Sequence, residues 1–547
     1  MNRQFRLALL AVVFGAVQPL HAATLTAELQ AVHVLNRLGY GPKPGDIDRV
    51  RQMGVQRYID IQLHPESIPY PEALAKRLAT LETANQPAGE VVREFVELRK
   101  DVRDEEEGAK QRRRSELARI AREAAEARLL RAVDSPRQLE EAMVDFWFNH
   151  FNVFAGKGID RALIASYERD AIRPYVLGSF RELLGATAHH PAMLFYLDNY
   201  LSTASDFTPA GANGAKARAR GLNENYAREL MELHTLGVDG GYTQKDVTEL
   251  ARMLTGWTFD QRRLVRNNET FRFDPKRHDA GAKRWLGRDV APNGQLEGEM
   301  ALDILAVHPA TARHISYQLA QYFVSDAPPA ALVERMAHTW LQTKGDIRSV
   351  LATLFASDEF MSPAAVGAKF KTPYQFVVSA VRAGDAPVAN IAPLVGTLNQ
   401  LGMPLYGCQT PDGYKNTQDA WLNPDALTRR ITFATALGSG RIALSSPPPA
   451  PQPAASAAAA IPARATVEPA PQMGATAPAV PPPMVTATVS GAAMAASAQG
   501  SSPPLDASRL QATLGASISR HTLDIVDRNG AELRAAMLLG SPDFMQH

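Results

Sequence analysis

Helical hydrophobic periodicity runs through almost the whole chain. Apolar residues recur at helical spacing in segments such as 25–38 and 139–151, and this spacing places them on one face of a helix. Alternating strand patterns and Asn-Gly hairpin turns are scarce by comparison. The sequence therefore predicts an all-α protein, with one multi-helical domain.

Residues 90–133 are rich in Glu, Arg and Ala. Oppositely charged residues stand three or four positions apart, for example Glu116 and Arg119, and such pairs stabilise solvated helices. We expect a long charged helical hairpin that breaks near Gly108. The basic triplet 112–114 follows the acidic run 104–107, so a solvated face is a simpler interpretation than a basic binding patch.

The first 22 residues have the pattern of a secretory signal. Arg3 and Arg6 precede an apolar stretch at 7–17, and small residues follow, which is typical of a Sec-type signal peptide with cleavage after Ala22. The apolar stretch is about half the length that a membrane span needs, although an uncleaved anchor is the alternative. We expect a periplasmic or secreted protein with no membrane span after cleavage.

Cysteine content and net charge argue against a disulfide-stabilised protein and against a nucleic-acid-binding protein. Cys408 is the single cysteine, so no intramolecular disulfide can form and stability has to come from a large hydrophobic core. A lone cysteine is more often a buried thiol than a catalytic nucleophile. The 58 basic and 57 acidic residues give a net charge of +1, which argues against a nucleic-acid-binding protein.

A segment rich in Pro, Ala and Ser interrupts the helical pattern. Residues 445–504 carry almost no charge, and their composition cannot bury a core. Helical periodicity returns at 505–547. We therefore predict four parts: a signal peptide at 1–22, a helical domain at 23–444, a disordered insertion at 445–504, and C-terminal helices at 505–547 that complete the domain.

The segment 223–234 combines many polar side chains in what the pattern predicts to be one helix. Only Tyr226, Leu230 and Leu233 form an apolar stripe, so the polar side chains on the other faces need partners wherever they are buried. Such a helix either belongs to a buried polar network or lines a site.

Five segments resemble the bacterial family called domain of unknown function 1800. They are residues 33–41, 147–153, 189–199, 221–247 and 254–257, and the resemblance as a whole covers 25–445 and 505–547. It implies an exported helical architecture and no particular reaction. Members of the family are often encoded beside exported proteins of the domain of unknown function 1501 family, which resemble sulfatases and alkaline phosphatases. The resemblance therefore implies a partner of that second family.

Chemically active side chains concentrate between positions 145 and 279. Glu229 and Glu232 stand three residues apart, which puts two carboxyl groups near one helix face, and a general acid/base pair needs two carboxyl groups in different environments. Arg228 and His278 are the further candidate catalytic residues. His278 falls in a predicted loop, where functional side chains concentrate.

A divalent metal is another candidate occupant of this region. Helical bundles can direct carboxylates and imidazoles inward to bind a metal, and the candidate ligands are His150, Asp198, Asn225 and Glu229. No spacing is diagnostic, because Glu-x-x-His and His-Glu-x-x-His motifs are missing. Four more residues complete the polar set: Asn223, Glu224, His234 and Asp279.

Structural alternatives exist for these residues, and two functions stay open. His150 lies on an apolar stripe, and Glu224 and Arg228 are spaced to pair with each other. One function is an exported enzyme such as a hydrolase, and a glycosidase would use the same two carboxyl groups. The other is a non-catalytic envelope binding or assembly protein, in which the polar residues form a buried network. An open cleft would favour the enzyme, and sealed, fully paired side chains would favour the scaffold.

Overall fold

The computed structural model describes residues 25–100, 107–207, 221–446 and 502–547. Helices dominate these residues, and the strands form two short antiparallel pairs. The prediction of a multi-helical all-α fold is confirmed. The predicted signal peptide and residues 447–501 of the predicted insertion lie outside the described residues, so the structure does not bear on them.

The N-terminal helices lead into the charged hairpin. Their bounds are α1 Ala27–Arg37, α2 Asp46–Met53, α3 Val55–Leu63, α4 Glu72–Ala79, α5 Glu82–Asn85, α6 Ala88–Arg99 and α7 Glu107–Asp134. Helices α6 and α7 pack together, and Arg119 of α7 binds Glu94 of α6 at 2.8 Å. The predicted hairpin is confirmed, with Gly108 inside α7 rather than at the break.

Six further helices carry five of the eleven predicted site residues, namely His150, Asn225, Arg228, Glu229 and Glu232. The helices are α8 Gln138–His150, α9 Asp160–Ser166, α10 Phe180–His189, α11 Pro191–Tyr196, α12 Asn225–Glu232 and α13 Gln244–Met253. Helix α12 is shorter than the sequence pattern predicts. The His234 N–H donates to the Glu229 carbonyl at 2.9 Å, a five-residue bond wider than an α-helical turn, so the helix ends before His234.

Two small hairpins follow α13. Strand β1 Trp257–Thr258 pairs with β2 Arg272–Phe273, and β3 Lys283–Trp285 pairs with β4 Arg288–Val290. Helix α14 Gln261–Asn267 lies between β1 and β2 in the chain. Strand β3 packs against α13, and the predicted His278 loop runs between the two hairpins.

The following helices complete the main body. Their bounds are α15 Gln295–Ala306, α16 Pro309–Phe323, α17 Ala330–Thr343, α18 Ile347–Phe355, α19 Pro373–Ala383, α20 Ala392–Gln400, α21 Gln418–Trp421 and α22 Pro424–Gly438. Between α20 and α21 the chain forms a long loop, residues 401–417, without helix or strand.

The C-terminal helices pack on the rest of the protein. They are α23 Ala507–Leu514, α24 Arg520–Asp527, α25 Ala531–Leu539 and α26 Pro542–Met545. Helix α25 lies against α22 at Gly438, where a Cβ atom would come within 2.8 Å of the Ala536 nitrogen. The hydroxyls of Ser445 and Ser502 are 2.7 Å apart, so the two chain segments on either side of residues 447–501 lie next to each other. The predicted domain limits stay a prediction.

The hydrophobic core accounts for most of the tryptophans. Trp147, Trp257, Trp285 and Trp340 are all fully buried, so helix packing explains these rings and they form no exposed sugar platform. Cys408 is a buried free thiol, as the sequence predicted. Within the described ranges, no helix is long and apolar enough to cross a membrane.

Candidate functional site

A cleft of about 280 Å³ opens between α8, α12, α16 and the loop that follows α20. We call it the polar cleft. Its polar lining comes from elements far apart in the chain: Asp145, Asn149, His150, Glu232, His314, Gln318, Gln321, Asp412, Tyr414, Lys415 and Asn416.

Glu229 and Glu232 stand three residues apart on α12, and Glu232 lines the polar cleft. The Glu229 side chain is half-buried, and among the described residues no group donates a hydrogen bond to its carboxyl. Burial raises the pKa of Glu229, and the charges of Glu232 and Asp412 raise it further against the opposing effect of Arg228. A carboxyl group in this environment tends to keep its proton.

Asp412, on the loop opposite α12, lies in an environment that lowers its pKa. The Lys415 ammonium donates to its carboxylate at 2.7 Å. Burial alone would raise the pKa of Asp412, but hydrogen bonds from Lys415 and Thr410 outweigh burial and lower it. The pKa values of Glu229 and Asp412 are thus shifted in opposite directions, a pattern found in acid/base pairs. The sequence reasoning missed Asp412, because Pro411-Asp412-Gly413 signals only a turn.

His150 and His234 form an uncharged wall beside the cleft. The His150 Nε2 lies 3.1 Å from the His234 carbonyl oxygen, and the two ring centroids are 6.0 Å apart. Burial lowers the pKa of His150 to about 3 and that of His234 well below its ordinary value. His150 is therefore a neutral, hydrogen-bonded histidine, which agrees with its position on an apolar stripe.

His278 is enclosed in a structural network. Its Nδ1 lies 2.9 Å from the Thr255 carbonyl oxygen, and its Nε2 lies 3.2 Å from the Glu297 carboxylate. Lys283 binds the other oxygen of Glu297 at 2.7 Å, and the side chains of Lys283 and Glu297 are fully buried. Every polar atom of the His278 ring has a partner, which favours the structural interpretation over the catalytic one.

Asp279 also has a cationic partner. The Arg252 guanidinium donates to both carboxylate oxygens, at 2.8 Å and 3.1 Å, and this contact is the main reason that the pKa of Asp279 is lowered. The pair ties the loop after β2 to the end of α13. Asp279 therefore serves the fold.

Glu224 and Arg228 join α12 to α13. The Glu224 carboxylate accepts from Thr248 at 2.7 Å and from Gln244 at 2.8 Å, and it lies 3.4 Å from Arg228. Arg228 also donates to Gln244 at 2.8 Å. The predicted Glu224–Arg228 pair is present, so Arg228 is committed to holding two helices together.

Asp198, Asn223 and Asn225 fasten the beginning of α12. Asp198 has a left-handed backbone, with φ of 58°, and its carboxylate accepts from Lys157 at 2.8 Å. The Asn223 amide donates to the Asp198 carbonyl at 3.2 Å, and the Asn225 amide donates to the Leu197 carbonyl at 3.3 Å. These three residues connect α12 to the turn after α11.

Three of the four predicted metal ligands have separate partners, and Glu229 is the fourth. His150 contacts His234, Asp198 binds Lys157, and Asn225 binds the Leu197 carbonyl. In the part of the chain that the structure describes, no group of three His, Cys, Asp or Glu residues is arranged to hold a metal ion. A divalent metal in this region stays a prediction.

An ion network lies beneath the polar cleft. Arg128 of α7 binds Asp145 at 2.6 Å and approaches Glu168 at 3.4 Å, and its guanidinium lies over the rings of Tyr374 and Tyr406 at 5.3 Å from each centroid. The expectation of a solvated hairpin is therefore wrong at this end of α7, because acidic residues from later elements cover Arg128.

Comparison with known proteins identifies the family. The sequence model of the family described as "Protein of unknown function (DUF1800)" matches residues 33–546. The chain belongs to this family. No curated protein and no solved structure gives a match. The polar cleft and the loop that carries Asp412 both lie inside the matched range, so the site is part of the domain of unknown function 1800 itself.

Proposed function

We propose that the protein is an exported hydrolase in which Glu229 is the general acid and Asp412 the general base, acting on an uncharged, hydroxyl-rich substrate such as a glycoside. One observation supports this most strongly. Two carboxyl groups, 183 positions apart in the sequence, have pKa values shifted in opposite directions: among the described residues nothing donates a hydrogen bond to Glu229, whereas Asp412 lines the cleft beside Lys415.

The two carboxyl groups suit the two proton transfers of hydrolysis. Asp412, held ionised by Lys415, accepts a proton from a water molecule that attacks the electrophilic carbon. Glu229, kept protonated by burial and by the charge of Glu232, donates its proton to the leaving oxygen. The bond from carbon to the leaving oxygen breaks, the water hydroxyl stays on carbon, and one water is consumed.

The charge of the cleft disfavours anionic substrates. Glu232 and Asp412 both line it, and among the described residues of its lining the one ammonium, that of Lys415, is already bound by Asp412. A negatively charged substrate would be repelled, whereas hydroxyl groups would find the amide side chains of Gln318, Gln321 and Asn416 as hydrogen-bonding partners. A cleft of about 280 Å³ suits a small substrate or a single sugar unit of a longer one.

Export is supported by the N-terminal pattern. Arg3 and Arg6, the apolar stretch 7–17 and the small residues before position 23 form a Sec-type signal, which directs a protein out of the cytoplasm. Fractionation of cells that express the full chain tests this point: mature protein that begins at Ala23 is expected in the periplasm or medium.

Hydrolysis is tested with purified residues 23–547 and chromogenic substrates. We would compare p-nitrophenyl glucoside, the anionic p-nitrophenyl glucuronide, other neutral p-nitrophenyl glycosides and p-nitrophenyl acetate. Neutral glycosides are expected to be cleaved faster than the glucuronide. Asp412→Asn should lower kcat/KM by about 10²- to 10⁴-fold, and Glu229→Gln should do so on methyl glycosides, whose alkoxide leaving group needs the proton that p-nitrophenolate does not.

Two matched variants control for charge removal away from the cleft. Glu72 and Asp425 are exposed and form ion pairs within their own helices, with Lys76 and Arg429. Glu72→Gln and Asp425→Asn should keep full activity. Failure of every neutral substrate to react, or full activity of Glu229→Gln on methyl glycosides, would contradict the proposed chemistry.

The non-catalytic alternative has its own support. Glu224, Arg228, His278 and Asp279 are paired within the fold, which is the arrangement expected of a scaffold. An envelope protein of this kind would hydrolyse nothing and would bind an exported partner. The partner from the domain of unknown function 1501 family stays a prediction, and co-purification of the two proteins from the periplasm tests it.

A further inference from the structure

We infer that Asn149 and Asn152 are positioning residues, whose side-chain amides hold the loop 408–416 so that Asp412 stays at the polar cleft. This inference rests on the proposed function for its chemical meaning. Its geometric part, that the two asparagines fix Asp412, can be tested without any substrate.

Asn149 binds the loop just after Asp412. Its Nδ2 donates to the Tyr414 carbonyl at 2.8 Å, and its Oδ1 accepts from the Tyr414 N–H at 2.7 Å. One amide side chain thus satisfies both backbone groups of a loop residue, as a neighbouring strand would. Because Tyr414 is two residues from Asp412, this contact restricts where the carboxylate can lie.

Asn152 binds the loop just before Asp412. Its Nδ2 donates to the Cys408 carbonyl at 3.1 Å and to the Thr410 carbonyl at 2.8 Å. Asn152 is buried, so replacing it would remove a donor from both carbonyl groups, although the Thr410 carbonyl would keep the Gly413 N–H. The two asparagines therefore hold the loop on both sides of Asp412.

Gly413 lets the loop approach the end of α8 closely. Its φ is +68°, a conformation that favours glycine, and a Cβ atom there would lie 2.3 Å from the Asn149 carbonyl oxygen. The backbone next to Asp412 therefore rests directly on the helix that carries Asn149. A loop seated this closely has little freedom to move its carboxylate.

Other side chains bind the two ends of the loop, whereas Asn149 and Asn152 bind residues between them. Tyr196 donates to the Gln409 carbonyl at 2.8 Å, and Lys369 binds Asn416 at 2.6 Å. The described part of 408–416 contains no helix or strand. We therefore expect loss of Asn149 to loosen the residues around Asp412 while the ends of the loop stay attached.

The test measures how strongly Asp412 acts on Glu229. A water-soluble carbodiimide with an amine labels protonated carboxyl groups, and mass spectrometry gives the extent of labelling at Glu229 at pH 6. The negative charge of Asp412 favours the protonated form of Glu229, so Asp412→Asn should lower this labelling by about twofold, the size of a weak charge interaction screened by solvent.

Asn149→Leu and Asn152→Leu keep side-chain size and remove the hydrogen bonds. Each should lower Glu229 labelling toward the level of Asp412→Asn, and Asn149→Leu combined with Asp412→Asn should show no further decrease. The matched control is Asn85→Leu, because the Asn85 amide also donates to two backbone carbonyls, those of Leu78 and Leu81, far from the cleft in sequence. This control should label as the wild type does.

The outcomes separate the inference from the proposed function. Wild-type labelling in a folded Asn149→Leu or Asn152→Leu, or additive effects in the double variant, would overturn the positioning role. Circular dichroism and thermal unfolding identify a misfolded variant, and the other asparagine then provides the test. The expected labelling pattern with no hydrolysis of any substrate would support the positioning role and refute the hydrolase.

Discussion

Asn149 and Tyr414 are joined by two hydrogen bonds, 2.8 Å and 2.7 Å long, between one side-chain amide and the backbone of one loop residue. This relationship connects the end of α8 to the loop that carries Asp412. It gives the polar residues of the segment 147–153 a function that does not require contact with substrate. They support the opposite wall of the cleft.

Glu229→Gln should stabilise the protein at neutral pH. The pKa of Glu229 is raised in the folded state by burial and by Glu232, so the wild type loses stability as pH rises from the ordinary value of 4.5 through the folded-state pKa. Glutamine removes this loss. Because the group is half-exposed, we expect a gain below about 1 kcal/mol. Urea unfolding should show the gain at pH 7 and none at pH 3.5.

Lys371→Met should stabilise the protein most at acidic pH. Lys371 is buried against the Phe544 ring, 3.9 Å from its centroid, and burial, with a smaller effect of Arg430, lowers the pKa of Lys371 from 10.5 to about 7. The folded state favours the neutral form of the Lys371 amine, so the wild-type protein loses stability as the pH falls from 10.5 through 7.

At pH 6 the variant should therefore exceed the wild type by roughly 2–4 kcal/mol, at about 1.4 kcal/mol for each pKa unit. Chemical unfolding at pH 6 and pH 9.5 measures the difference, which should shrink at the higher pH. An equal gain at both values would show that packing of methionine, and not the buried charge, is the cause.

His278→Leu should destabilise the protein without changing the rate of hydrolysis. Leucine removes one of the donors to the buried Glu297 and the contact with the Thr255 carbonyl, and the lost hydrogen bonds should cost about 1–3 kcal/mol. Thermal unfolding and kcat/KM are measured on the same preparation. A large fall in kcat/KM with an unchanged melting temperature would return His278 to the catalytic residues.

Arg128→Ala should cost about 3–5 kcal/mol, because it leaves the buried Asp145 carboxyl group without its cation and leaves Arg173 as the one described residue that forms an ion pair with Glu168. The cost should decrease at acidic pH, where those groups can take up protons. Arg429→Ala is the control, since the Arg429–Asp425 pair is exposed and such pairs contribute about 0–1 kcal/mol. Similar losses in the two variants would show that Arg128 is no more important than a surface arginine.

Local sequence patterns predicted the structural features that depend on residues close together in the chain. The helical fold, the charged hairpin and the shared face of Glu229 and Glu232 all follow from spacings of three or four residues. The Glu224–Arg228 pair is of the same kind, and the structure contains it at 3.4 Å. These features could be inferred because helix geometry fixes which neighbouring side chains meet.

The missed features depend on contacts between distant parts of the chain. Asp412 lies at the cleft on a loop whose Tyr414 binds Asn149. These two residues are 265 positions apart in the chain, and no periodicity encodes such a contact. His278 was interpreted as functional because of its loop, yet Glu297 from α15 covers it. The burial of Arg128 likewise follows from the packing of Asp145 and Glu168, so its charge pattern alone looked solvated.

The most direct measurement of the central claim is the pH dependence of carbodiimide labelling at Glu229 and Asp412 in the wild-type protein. The acid/base assignment predicts that labelling of Glu229 persists above its ordinary pKa of 4.5, and that labelling of Asp412 stops below its ordinary value of 3.8. Glu232→Gln should move the Glu229 midpoint down. Two midpoints at their ordinary values, or a higher midpoint for Asp412 than for Glu229, would contradict the account.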